Sequence, residues 1–427
     1  MKIKLFHTIL FLIIINVSGY AEDNGTFVFA KGGDVSWLSQ MDATGYKFYN
    51  DKGVQEDCFK ILKDRGFNTI RLRTFVNPSA DRTNGHCSKD ETVALAVRAQ
   101  QWGMRIMIDF HYSDTWADPG HQVKPAAWVG HDFPALLNDI YNYTFDVMTA
   151  LKTAGVTPEW VQVGNEIPGG MIYPEGSNAT SWNQLVSLIN KGYDAIKTVC
   201  PTSKVILHID QGNDNARFRW WFDNAKVNGA KYDVIGMSYY PYWLSGSPDY
   251  TLSINDLGNN LLDMVTRYGK QVMVVEVGGL DTNAQNTYNL LMAVQQKVNA
   301  VPNNNGLGVL YWEPEGAKSW SGYSLSAWGS DGRPTIAMNA FSDFISAVPG
   351  LTEDKLIMQQ DQQNHTIFFN EELAKIEIIN MNGMIIRSIS SSNSISTNQL
   401  HKGVYLIKVT SRTQINSKVF KFIAISD

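Results

Sequence analysis

The sequence predicts a (β/α)8 barrel followed by a small all-β sandwich module. Three observations carry that expectation. Eight short apolar runs alternate with longer stretches of helical apolar spacing from about residue 27 to residue 345. Many of those runs end in polar or acidic side chains, as the reactive rim of such a barrel requires. From about Leu351 to Asp427 the texture changes to polar and apolar alternation, with Asn, Ser and Gly at the turns.

The eight runs read FVFAKGGDVS, NTIRLR, MRIMIDFH, WVQVGNE, KVILHID, DVIGMSYY, QVMVVEVG and LGVLYWEPE. Intervening segments such as EDCFKILKDRG and ETVALAVRAQQWG have helical spacing, and Gly66, Gly103 and Gly155 stand where helices are expected to stop. A doubly wound open sheet is the rival, but no Gly-rich phosphate loop follows an early strand. The tail runs KLIMQQD, HTIFFN, AKIEIINMNG, MIIRSIS, GVYLIKVT and KVFKFIAIS suit a modest sandwich. The expected organisation is a signal peptide over 1–21, a barrel over 27–347 and a β-module over 352–427.

Composition narrows the partners. A net charge of -5 over 427 residues, with no basic run, argues against nucleic acid or an anionic membrane surface. Twelve Trp residues offer flat faces that suit sugars as well as cores. The start, MKIKLFHTILFLIIINVSGYAEDN, places two lysines before a short apolar run ending in small residues, the pattern of a cleaved export signal. Cys58, Cys87 and Cys200 fit no metal spacing and leave an odd cysteine over; a Cys58–Cys87 bridge and three thiols are both open readings.

Two carboxyls at strand ends are what glycoside hydrolysis uses, one to protonate the leaving oxygen and one to attack the anomeric carbon. Glu166 in VQVGNEIPGG and Glu276 in VMVVEVGG meet that need on the fourth and seventh strands. Arg71 is expected near Glu276, favouring its carboxylate, and Asn165 is placed to bond a sugar 2-hydroxyl. Tyr239 or Tyr240 is expected to orient the nucleophile. The loop DFHYSDTWADPGHQVKPAAW offers Asp109, His111, Asp114, Trp116 and Trp128 as acceptors, donors and stacking faces for a neutral sugar chain. A metal site from His111, His121, Asp114 and Asp118 lacks a ligand spacing to support it.

The run GFNTIRLR, that loop, the VQVGNE strand end, GMSYYPYW and GVLYWEPEG together resemble glycoside hydrolase family 53, the endo-β-1,4-galactanases, over roughly residues 27 to 345. The resemblance implies Glu166 as acid/base, Glu276 as nucleophile, Asn165 as 2-hydroxyl partner and Arg71 beneath the nucleophile, with Asp109, His111, Tyr239 and Trp312 lining the reactive subsite. It implies a monomer cleaving β-1,4-galactan with retention and no required cofactor, with room for a structural calcium. One departure is VGGLDTNAQN after the nucleophile, where many members are aromatic-rich, so chain-length preference does not carry over. The tail, with IEIINMNGMIIRSISSS and ISTNQLHKGVYLIKVT, is similar to sorting domains of the type IX secretion machinery, which carry proteins across the outer membrane. A carbohydrate-binding sandwich is its alternative. For the barrel, the alternatives are a mannan- or glucan-cleaving relative and a non-catalytic polysaccharide-binding surface protein.

Overall fold

Eight parallel strands close on themselves in sequence order: β1 (Ala30–Asp34), β2 (Thr69–Thr74), β3 (Arg105–Phe110), β4 (Trp160–Val163), β5 (Lys204–Ile209), β6 (Val234–Tyr239), β7 (Gln271–Val277) and β8 (Gly306–Trp312). β8 pairs back to β1, with Asp34 beside Trp312. This computed structural model describes residues 27–79, 86–344, 358–361, 365–380, 383–411 and 417–424. The signal peptide expected over 1–21 lies outside the described residues.

The connecting helices begin where the sequence supplies caps. Ser88 and Glu91 form a capping box at the start of Lys89–Gln101, and Asp132 and Ser181 accept backbone N–H groups at the starts of Phe133–Thr153 and Trp182–Val199. The last of these turns Leu185, Leu188, Ile189 and Ile196 onto the sheet, each fully buried and each contributing about 1.5–3 kcal/mol by leaving water. None of the cysteines is in a disulfide: Cys58, Cys87 and Cys200 are buried thiols.

Period two sorts the strand residues into two layers. Val274 and Val277 pack outward with the helices, while Met273 and Val275 join Ala30, Met107, Trp160, Ile206, Val234, Leu307 and Leu310 to fill the barrel. Between β6 and β7 the register slips: Met237 lies beside Val274, but Ser238 lies beside Glu276. The extra residue is a bulge that lets Val275 and Glu276 both face inward, so the carboxyl stands above an apolar floor.

The chain divides between Ala347 and Val348 into two compact units. In the second, β9 (Met358–Asp361), β10 (Thr366–Asn380), β11 (Ile385–Ser396), β12 (Gly403–Ser411) and β13 (Ser417–Ala424) form one antiparallel sheet, ordered β11-β10-β12-β13 with β9 also on β10. HTIFFN and AKIEIIN, read as two strands, are one: β10 pairs with β9 before a register shift between Phe368 and Leu373 and with β12 after it. Ile367, Phe369, Leu373, Ile376, Ile378, Ile407 and Val409 make its core.

Candidate active site

At the carboxyl ends of the barrel strands Arg71 occupies the centre of a buried ion cluster. Its Nη1 lies 2.7 Å from Asp34 Oδ2, and its Nη2 lies 2.9 Å from Asp109 Oδ2 and 3.0 Å from Glu276 Oε1. Nε donates to Gln162 Oε1 at 2.9 Å, and Nη2 to Asn165 Oδ1 at 2.8 Å. A planar fork can serve several planar partners at once, which a lysine could not do. Arg73 repeats the device one pleat further on. It pairs with Asp34 and Glu313 and lies beneath Trp116, whose ring centroid is 4.0 Å from the guanidinium carbon.

Above these ions is a cavity of about 460 Å³ lined by His111, Trp116, Asn165, Glu166, Tyr240, Glu276, Trp312 and others. Trp116 and Trp312 meet edge to face at 5.6 Å. The Tyr240 hydroxyl donates to Glu276 Oε2 at 3.1 Å. Asn165 donates to the Ala117 carbonyl at 2.8 Å. His111 accepts the Ala117 N–H on Nδ1, so its hydrogen is on Nε2, facing Asp109 Oδ2 at 2.9 Å.

The fourth strand is shorter than the run WVQVGNE. β4 ends at Val163, and Gly164 turns the chain at φ 81°. Glu166 itself sits at φ 42°, a left-handed conformation unfavourable for a side chain with a Cβ, and its carbonyl accepts from Gln122 Nε2 at 3.2 Å. Its Oε1 accepts from Ser238 Oγ at 2.6 Å.

Burial and then the negative charge of Glu276 push the Glu166 carboxyl well above the usual range, with Ser238 opposing and Asp210 and Asp118 adding to the rise. Burial, opposed by Arg71 and the Tyr240 hydroxyl and joined by the charges of Asp109 and Asp34, leaves Glu276 raised to about 7. The two carboxyls therefore differ in the sense a proton-sharing pair needs: Glu166 is the one that keeps its proton. Burial also acts on Asp109, yet Arg71 and His111 hold it below its ordinary value.

Several expected contacts take other positions. Asp109 is fully buried under the cavity instead of lining it, beside Arg71, which is buried against Glu276. Asp114 accepts the N–H groups of Asn77 and Ala126, fastening its own loop instead of reaching the cavity. Trp128 is buried against Tyr143 in the core between helix and sheet, away from the cavity. Tyr239 points outward and bonds Ser253 Oγ at 2.8 Å; its neighbour Tyr240 faces Glu276. Sequence reasoning left Ser238, His208 and Gln162 without roles, although each is a polar side chain inside an otherwise apolar strand. Trp243, 64% exposed, and Tyr323 also line the cavity unforeseen. Among the described residues no group of three or more His, Cys, Asp or Glu side chains gathers to hold a metal ion.

Residues 30–347 match glycosyl hydrolase family 53, and residues 361–424 match the secretion system C-terminal sorting domain. An arabinogalactan endo-beta-1,4-galactanase of Thermothelomyces thermophilus is 31% identical over 66% of this chain and 89% of its own length. An endo-beta-1,4-galactanase of Bacillus subtilis is 32% identical over 71% of this chain and 72% of its own. Among solved structures, the family 53 catalytic domain of Ignisphaera aggregans superposes with a TM-score of 0.68 at 28% identity, covering 73% of this chain and 95% of that one.

Proposed function

The chain belongs to glycosyl hydrolase family 53, and on that premise we propose that its barrel hydrolyses β-1,4-galactan internally by double displacement, with Glu166 as acid/base and Glu276 as nucleophile. The carrying observation is the unequal setting of the two carboxyls on one cavity: Glu166 held protonated by burial and its neighbours, Glu276 drawn toward the anion by Arg71 and Tyr240.

In the first step a Glu276 oxygen bonds to C1 as the C1–O bond breaks, and the Glu166 proton moves to the departing oxygen. In the second, the Glu166 carboxylate takes a proton from water, the water oxygen bonds to C1, and the ester to Glu276 breaks. Atoms and charge balance over the cycle with water alone, so the reaction needs no cofactor. Asn165, fixed by Arg71 and Ala117, keeps one amide N–H for the 2-hydroxyl. Trp116 and Trp312 supply apolar walls for the sugar faces. The tail is a type IX sorting module, making this an exported enzyme. We infer that it works as a monomer.

Reducing-sugar release from galactan, mannan, cellulose and arabinogalactan, with proton NMR of the first product anomer, tests the reading. Fastest release from galactan with the β-anomer appearing first is expected; a faster rate on mannan or cellulose, or an α-anomer, overturns it. The pH profile of kcat/KM gives a separate check. Activity requires ionised Glu276 and protonated Glu166, so the rate climbs as pH rises through the raised Glu276 value, toward 7, and falls at higher pH as Glu166 ionises. An acid limb in the ordinary carboxylate range near 4 would count against this assignment.

A further inference from the structure

Ser238 lies in β6 beside Glu276, with its Oγ 2.6 Å from Glu166 Oε1 and 2.7 Å from His208 Nε2. Its single hydroxyl hydrogen can serve only one of them, and the surroundings of His208 decide which. Gln162 is fixed in orientation, because its Oε1 accepts from Arg71 and its Nε2 donates to Asp109 Oδ1 at 3.0 Å. The second N–H of that Nε2 is 3.1 Å from His208 Nδ1, and the backbone N–H of Glu166 points at the same nitrogen from 3.5 Å. Two donors make Nδ1 an acceptor. Asn165 Oδ1 also lies 3.0 Å from Nδ1 and has a lone pair beyond the one Arg71 Nη2 uses, but an Nδ1 hydrogen would face two N–H groups to satisfy that one oxygen. The imidazole hydrogen is therefore on Nε2 and goes to Ser238 Oγ, whose own hydrogen goes to Glu166. Burial and then the charge of Arg71 keep this imidazole well below its ordinary value, and so neutral.

We propose that Ser238 is a positioning residue that decides which oxygen of Glu166 carries the catalytic proton: by always donating to Oε1, it confines the proton to Oε2, the oxygen left for the cavity. The donation has one direction, from Arg71 through Gln162 and His208 to Ser238, and ends on Glu166. It also strengthens as Glu166 becomes an anion, so it favours the transition state over the ground state. Against Glu276 from β7, Asp210 after β5 and Asp118 from the β3 loop, all of which favour the protonated acid, Ser238 is the group that eases proton release.

The inference rests on Glu166 being the acid/base, and the test separates the two. Ser238→Ala is compared with wild type and Glu166→Ala on galactan and on 2,4-dinitrophenyl β-galactobioside, whose leaving group departs without protonation. For Ser238→Ala, kcat/KM on galactan should fall about tenfold or more, with the aryl substrate spared. Its alkaline limb should move to higher pH, because a bond favouring the carboxylate is lost, and Ser238→Thr should restore both. Equal loss on both substrates, or an unmoved alkaline limb, overturns the proposal. Ser238→Cys, similar in size but a weak donor, makes the same comparison if the alanine variant does not fold. Glu166→Ala should show the same selectivity more strongly. If it does not, the acid/base reading fails; if it does while Ser238→Ala behaves as wild type, only the role of Ser238 falls.

Discussion

Glu276→Ala will lower turnover of galactan by several orders of magnitude, on the order of 10⁴, while leaving the fold intact. The reason is local. Glu276 lines the cavity with one oxygen in an ion pair 3.0 Å from Arg71 and the other accepting from the Tyr240 hydroxyl at 3.1 Å. Truncation leaves room beside a guanidinium for a small anion, so added azide should restore cleavage of the dinitrophenyl galactoside and yield an α-galactosyl azide, attacked from the face the carboxylate used. A β-azide would exchange the roles of the two glutamates, and near-wild-type turnover without azide would dismiss Glu276 as nucleophile.

Arg71→Met carries the second large effect, on stability and on rate together. Arg71 is fully buried and neutralises Asp34, Asp109 and Glu276 at 2.7, 2.9 and 3.0 Å. Removing it strands buried carboxylates, which costs about 3–5 kcal/mol. Asp109 and Glu276, which Arg71 holds down, would respond by taking up protons. Glu276 loses its strongest opposing influence, so the acid limb of kcat/KM shifts to higher pH and the rate at neutral pH collapses. Chemical denaturation and a pH-rate profile of the same variant check both halves. Arg71→Lys should recover part of the stability but little of the rate, since a point charge cannot hold Gln162, Asn165 and Glu276 in one plane. Wild-type stability for Arg71→Met would mean that the ion cluster does not act as a unit.

The barrel was legible because its signal is repetitive: eight apolar runs separated by helical spacing leave few ways to bury every face. The carboxyl pair and Arg71 were legible because charged side chains in apolar strands need a reason to be there. Side-chain direction in irregular backbone was not legible. Asp114 and Trp128 lie in a loop rich in polar and aromatic groups, but one fastens the loop to Asn77 and Ala126 and the other packs under it. Tyr239 and Tyr240 are adjacent, and only the position of the strand end decides which one turns inward. Gln162, His208 and Ser238 leave only a faint trace in the sequence: a glutamine in WVQV, a histidine in KVILHI and a serine in VIGMSY, with mostly apolar neighbours.

The slip in register beside Ser238 has a mechanical meaning. Glu166 follows the end of β4 and Glu276 stands in β7, so their relative elevation is set by counting residues, not by which residues they are. Val275 acts as a shim: it plugs the barrel and lifts the next side chain by about 3.3 Å, one strand step. Excising that single valine would leave a glutamate pointing the right way but sunk below the reach of a sugar, an enzyme with every functional group present and none in line.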